Sequence, residues 1–137
     1  WRRWLARVIV VDTSALMAIL RDEESAHACS AALEANDRLL MSAATVAEAL
    51  IVADRRGLGT QMRTLIDGLG LEIVDVTPAV ARDVADAYER WGKGVHPAAL
   101  NFGDCFAYAL ALDRRCPLLY VGDDFVQTDI VSALAAQ

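Results

Sequence analysis

The chain has 137 residues, 55% of them hydrophobic and 23% charged, which is enough apolar material for one well-buried core and too little length for two. That balance excludes intrinsic disorder, and a formal net charge of −6, from 13 Lys and Arg against 19 Asp and Glu, argues against a protein that wraps DNA through a basic surface. The three cysteines, Cys29, Cys105 and Cys116, form no Cys-x-x-Cys pair, so a disulfide scaffold or zinc knuckle is not expected and a reducing cytoplasm is the favoured setting.

The opening, Trp1 to Arg7, is basic and too poor in apolar residues for a signal peptide. Residues 1–7 read as a leader, an upstream extension or a cloning remnant, and residues 8–137 as a single domain. Val8 to Val11 is a β-branched run typical of a strand covered on both faces. Helices are predicted over 13–20 and 25–35, a second strand over 39–41, and a helix over 44–56 stopped by Gly57 and Gly59. A helix over 60–69, a strand over 71–76, and a helix over 79–91 opened by Pro78 follow. Asn101 is placed to cap a helix over 102–114, Leu118 to Val121 reads as the fourth buried strand, and a final helix is predicted over 128–136. No apolar run reaches the roughly 20 residues that a spanning helix needs, so no membrane segment is expected. Alternating strands and helices call for an α/β fold with a central parallel sheet of four to five strands and helices on both faces.

Ligands of open α/β sheets bind outside the carboxyl ends of the strands, and the residues there are acidic. Asp12 follows the first strand, Asp123 and Asp124 follow the fourth, Glu48 lies one turn into the helix after the second, and Asp104 lies in the first turn of the Asn101 helix. Each acid taken alone has a structural explanation. Asp12 suits a helix N-cap, Asp104 suits the third position after an Asn101 cap, and Glu48 fits a capping box with Thr45. Together they need more, because unpaired carboxylates in one cleft repel each other and take up protons unless a cation neutralises them. With no His or Cys in the set, that cation is a hard divalent ion, Mg²⁺ or Mn²⁺, rather than zinc. Two such ions would move the net charge from −6 to −2, and Arg55, Arg56, Arg63, Arg90, Lys93, Arg114 and Arg115 offer positive charge for phosphates. Each of these cations is equally at home on a solvated helix face.

Four blocks carry a resemblance: Val10 to Leu16 (VVDTSAL), Ser42 to Ala49 (SAATVAEA), His96 to Ala111 (HPAALNFGDCFAYALA), and Leu119 to Ile130 (LYVGDDFVQTDI). In this order the chain resembles PIN-domain toxins of the VapC type from about Val8 onwards. The resemblance implies a PIN-like fold and a metal-dependent endoribonuclease acting as the toxin of a type II toxin–antitoxin pair. It further implies hydrolysis of an RNA phosphodiester by a metal-activated water, a VapB-like antitoxin partner, and a homodimer within a toxin–antitoxin hetero-oligomer. The family's acids carry over to Asp12, Glu48 and Asp104, and its Gly-x-Asp-Phe pattern selects Asp124 as the fourth, with Asp123 the alternative. Asp12 and Asp104 are expected to bind the principal ion, and Glu48 and Asp124 to complete a second site or hold its waters. Asp129 is a supporting candidate. Thr13 and Ser14 either orient the first acid or cap the helix. The basic extension over 1–7 departs from the family, whose members begin almost at the first strand.

His96, before Pro97, reads as a surface residue, Cys105 as a small buried thiol, and Trp91, Tyr108 and Tyr120 as core. A phosphoacceptor domain is disfavoured, since an Asp-x-Asp-x-Thr start is absent and the only Lys is Lys93. The alternative is a non-catalytic RNA- or protein-binding domain on the PIN-like fold, for which loss of the acids would be the mark.

Overall fold

The computed structural model describes residues 6–134, so residues 1–5 of the predicted extension over 1–7 and the end of the predicted final helix lie outside the described residues. Its elements run β1 (Val8–Val11), α1 (Thr13–Leu20), α2 (Ala26–Ala35), β2 (Arg38–Ser42), α3 (Ala43–Arg55), α4 (Gly59–Gly68), β3 (Glu72–Val74), α5 (Pro78–Trp91), α6 (Phe102–Arg114) and β4 (Leu118–Leu119). All strand pairs are parallel, in the order β3-β2-β1-β4. Arg7 already joins this frame, its carbonyl accepting from the Asp37 and Arg38 N–H groups.

Parallel strands covered on both sides need apolar residues at every position, and the β-branched run supplies them. Ile9, Val11, Leu39 and Met41 face a core shared with Leu16, Cys29, Ala53 and Met62 from the helices α1 to α4. The intervening Val10, Leu40 and Leu118 face a second core with Val84, Tyr108 and Leu110 from α5 and α6. Leu40 is wholly buried, so Leu40→Ala costs about 2–5 kcal/mol.

Helix starts follow their capping residues. Ser42 caps α3 by accepting from the Ala44 N–H, and Thr77 caps α5, with Pro78 in its first turn. The expected Thr45–Glu48 capping box does not form. With Ser42 as the cap, Thr45 falls inside the helix, and its buried hydroxyl has no hydrogen-bond partner. The predicted helix over 128–136 is also corrected: the described part of this segment is irregular, with bends at 128–129, a single bridge residue at Ser132 and a turn at 133–134. The Leu118 N–H donates to the Val131 carbonyl and the Ala133 N–H to the Leu118 carbonyl, so Ser132 bridges β4 in parallel. An open strand edge with unpaired backbone groups outcompetes the modest helix propensity of this tail. Among the described residues no helix is long and apolar enough to cross a membrane.

Candidate active site

The chain lays β2 and β3 on one side of β1 and returns to place β4 on the other, so connections leaving β1 and β4 diverge and open a crevice at their carboxyl ends. Asp12 stands at that point, buried, as the N-cap of α1. Its Oδ2 accepts from the Ser14 N–H at 3.1 Å and from the Ser14 hydroxyl at 2.6 Å. The same hydroxyl accepts from the Val121 N–H at 3.0 Å, which ties the exit of β4 to the start of α1. Thr13, one residue earlier, donates its hydroxyl to Glu48 Oε1 at 2.8 Å and so fixes the carboxylate of α3. Both hydroxyls therefore orient carboxylates, and the cap of α1 is Asp12 itself.

Asp104 is fixed by reciprocal bonds at the start of α6: its N–H donates to Asn101 Oδ1 at 2.8 Å, and its Oδ2 accepts from the Asn101 N–H at 3.0 Å. The structural expectation for this acid holds, and the capping box leaves its carboxyl lining the cleft. Gly103 is glycine for a local reason. A Cβ there would fall on Glu48 Oε2, so the missing side chain lets α3's carboxylate reach the amino end of α6, where the helix dipole favours an anion.

Asp12, Thr13, Ser14, Glu48, Asp104 and Asp124 thus line one cleft of about 220 Å³. Hollows of about 270 and 300 Å³ along α5 and α6 are larger, but the acids on their walls are exposed, whereas Asp12 and Asp104 are 5% and 7% exposed. Burial raises the carboxyl of Asp104 from 3.8 to about 7, with Asp124, Asp12 and Glu48 adding repulsion and the Asn101 N–H opposing it. Burial likewise raises Asp12 from 3.8 to about 6, against the two Ser14 bonds and with Glu48 adding to the rise. A cleft whose acids are driven to hold protons is one in which a cation is favoured.

Among the described residues, no group of three or more His, Cys, Asp or Glu side chains is gathered closely enough to hold an ion by itself. All-oxygen donors in a spread arrangement fit Mg²⁺, which keeps much of its water shell and takes one or two carboxylates, and do not fit a closed zinc site.

Two candidates lie elsewhere. Asp123 is exposed and does not line the cleft, whereas Asp124 does. Asp129 accepts from the Tyr108 hydroxyl at 2.6 Å and pairs with Arg90 at 3.6 Å, in a different hollow beside Cys116 and Pro117. Tyr108 in turn accepts from the Trp91 indole N–H at 2.9 Å, so Asp129 fastens the C-terminal turns to α6. His96 accepts from the Ala98 N–H and packs edge-on against Trp91, and burial pushes the Cys105 thiol up to about 11, which leaves neither suited to the chemistry. Sequence reasoning missed Gly103, and it missed Arg21 on the cleft wall. Arg21 was legible from its spacing of eight from Thr13 along one helix face.

A family model described as PIN domain matches residues 9–131. The chain is 45% identical over 130 residues to ribonuclease VapC28 of Mycobacterium tuberculosis, covering 92% of this chain and 98% of that protein. It is 44% identical over 128 residues to ribonuclease VapC30 of the same organism, covering 90% and 97%. In structure it is similar to M. tuberculosis VapC20, described as a Sarcin-Ricin loop cleaving toxin, with a TM-score of 0.71 at 16% identity over 90% of this chain and 96% of the other. A toxin–antitoxin complex from Klebsiella pneumoniae gives a TM-score of 0.69 at 18% identity, covering 91% and 97%.

Proposed function

Since this chain belongs to the PIN-domain family, among the VapC ribonucleases, we propose that it is a Mg²⁺- or Mn²⁺-dependent endoribonuclease and the toxin of a type II toxin–antitoxin pair. The observation that supports this most strongly is the convergence of Asp12, Glu48, Asp104 and Asp124, from four separate stretches of chain, on one cleft with the two buried acids primed for a cation. Asp12 and Asp104 would hold the ion, with Glu48 and Asp124 completing its surroundings. When bound, a divalent ion supplies a water of lowered pKa and stabilises charge on the phosphoryl group.

The protein's part is orientation. Ser14 holds Asp12 through two bonds to one carboxylate oxygen, at the wall of the cleft. Thr13 holds one oxygen of Glu48, and the Asn101 N–H holds one oxygen of Asp104. Carboxylates fixed in this way do not have to reorganise when the phosphodiester arrives. A VapB-like antitoxin would hold the enzyme inactive in the cytoplasm, and the toxin would act as a homodimer within the hetero-oligomer. The test is incubation of the purified, antitoxin-free chain with total cellular RNA in Mg²⁺ or in EDTA. Discrete fragments in Mg²⁺ alone support the proposal; no fragments with any divalent ion refute it.

A further inference from the structure

Two helices run side by side from the carboxyl edge of the sheet, and each carries a stripe of three residues, spaced by four, into the cleft. On α1 the stripe is Thr13, Met17 and Arg21; on α3 it is Glu48, Val52 and Arg56. A spacing of four keeps each set on one helix face. The rungs match across the cleft. Thr13 bonds Glu48 at the first, the apolar Met17 and Val52 form the second, and two arginines form the third. Eight residues at the helical rise put the arginine rung about 12 Å from the first rung.

We propose that Arg21 and Arg56 form a phosphate clamp that grips the RNA backbone at a phosphate beside the scissile one, with the strand crossing the apolar Met17–Val52 rung between them. This rests on the ribonuclease reading of the same cleft.

The charge pattern selects RNA over an acidic protein segment. A strand bearing one phosphate per nucleotide places an anion at the arginine rung while a neighbouring phosphate meets the acids through the divalent ion of the proposed function. An acidic peptide carries its carboxylates on flexible side chains without that fixed backbone repeat. Both arginines have charge to offer. Arg21 is 46% exposed and meets Glu23 only at 3.7 Å, and Arg56 is exposed with no carboxylate within ion-pair distance among the described residues. Each also terminates its helix, where a cation complements the dipole, so a purely structural role predicts a different result from the one below.

The test compares the wild-type chain with Arg21→Gln/Arg56→Gln, Arg21→Lys/Arg56→Lys, and a control that removes two charges outside the cleft, Arg38→Gln/Arg82→Gln. Binding of a short, fluorescein-labelled single-stranded RNA of mixed sequence is measured by anisotropy in EDTA across a salt series, alongside cleavage in Mg²⁺ and thermal unfolding. The expected result is a salt slope about 1.4 shallower for the Gln pair, since each single-strand phosphate contact contributes about 0.7. KM rises roughly tenfold with kcat unchanged, while the Lys pair and the control keep the wild-type slope. An unchanged slope with a lowered Tm makes the arginines helix caps and overturns the proposal. An unchanged slope with lost binding of a poly-glutamate peptide assigns them to a protein partner and overturns it as well. A shallower slope in a chain that cleaves no RNA would uphold the clamp while refuting the nuclease.

Discussion

Replacing Asp104 with Asn should remove activity and stabilise the metal-free protein at neutral and alkaline pH. The Asp104 carboxyl ionises near 3.8 when free and near 7 in the fold. Below pH 3.8 both states hold the proton and the group contributes nothing. Between 3.8 and 7 the unfolded chain releases its proton while the folded chain keeps it, so stability falls as pH rises, and above about 7 the loss is complete. A shift of about three units at 1.36 kcal/mol each sets a ceiling of about 4 kcal/mol on this penalty. Part of the repulsion comes from Asp12, which is itself raised from 3.8 to about 6 within the same window, so the two penalties are not summed. The substituted amide would still accept from the Asn101 N–H and preserve the cap of α6 while carrying no charge. In EDTA, Asp104→Asn should match the wild-type chain at pH 4 and exceed it at pH 8 by about 2–4 kcal/mol, or roughly 10 °C in Tm. Urea and thermal unfolding across pH 4–8 measure this directly. A wild-type stability that is flat across the window, or a variant less stable at pH 8, would refute the reasoning.

Gly103→Ala should cut cleavage roughly tenfold or more while leaving Tm unchanged or higher, because the new methyl displaces Glu48 although Ala favours the helix; parallel rate and melting measurements separate the two effects. Ser14→Ala strips Asp12 of its hydroxyl donor and the Val121 N–H of its acceptor. It should cost about 1–3 kcal/mol in urea unfolding and, by raising Asp12's proton affinity further, move the pH profile of cleavage upward. Tyr108→Phe breaks the bonds to Asp129 and Trp91 and should cost about 1–2 kcal/mol with cleavage intact; a lost activity without lost stability would return Asp129 to the site.

Much of this was legible in the chain. The unbroken run Val8 to Val11 predicted a strand buried on both faces, and its residues do alternate between two cores. Asn101 and Asp104 signalled a helix start that the structure realises in both directions of the capping box. Thr45-x-x-Glu48 misled because the motif does not say which residue is the cap: Ser42 lies three residues earlier and takes that place, freeing Glu48 to bond Thr13 from the neighbouring helix. The C-terminal tail misled because its fate depends on the open edge of β4, which no local pattern reveals. The Gly-x-Asp-Phe pattern selected Asp124 over its neighbour Asp123, and the turn after β4 places Asp124 on the cleft wall. Asp129 lies outside the cleft because its partner is Tyr108, 21 residues away in sequence, a pairing no local pattern reveals.

The most direct test of the central claim is metal-dependent RNA cleavage measured acid by acid on the purified, antitoxin-free protein. Asp12→Asn, Glu48→Gln, Asp104→Asn and Asp124→Asn should each lose the Mg²⁺-dependent fragments, while Asp123→Asn and Asp129→Asn keep them. Undiminished cleavage by folded Asp104→Asn, or loss that follows Asp123 instead of Asp124, would contradict it.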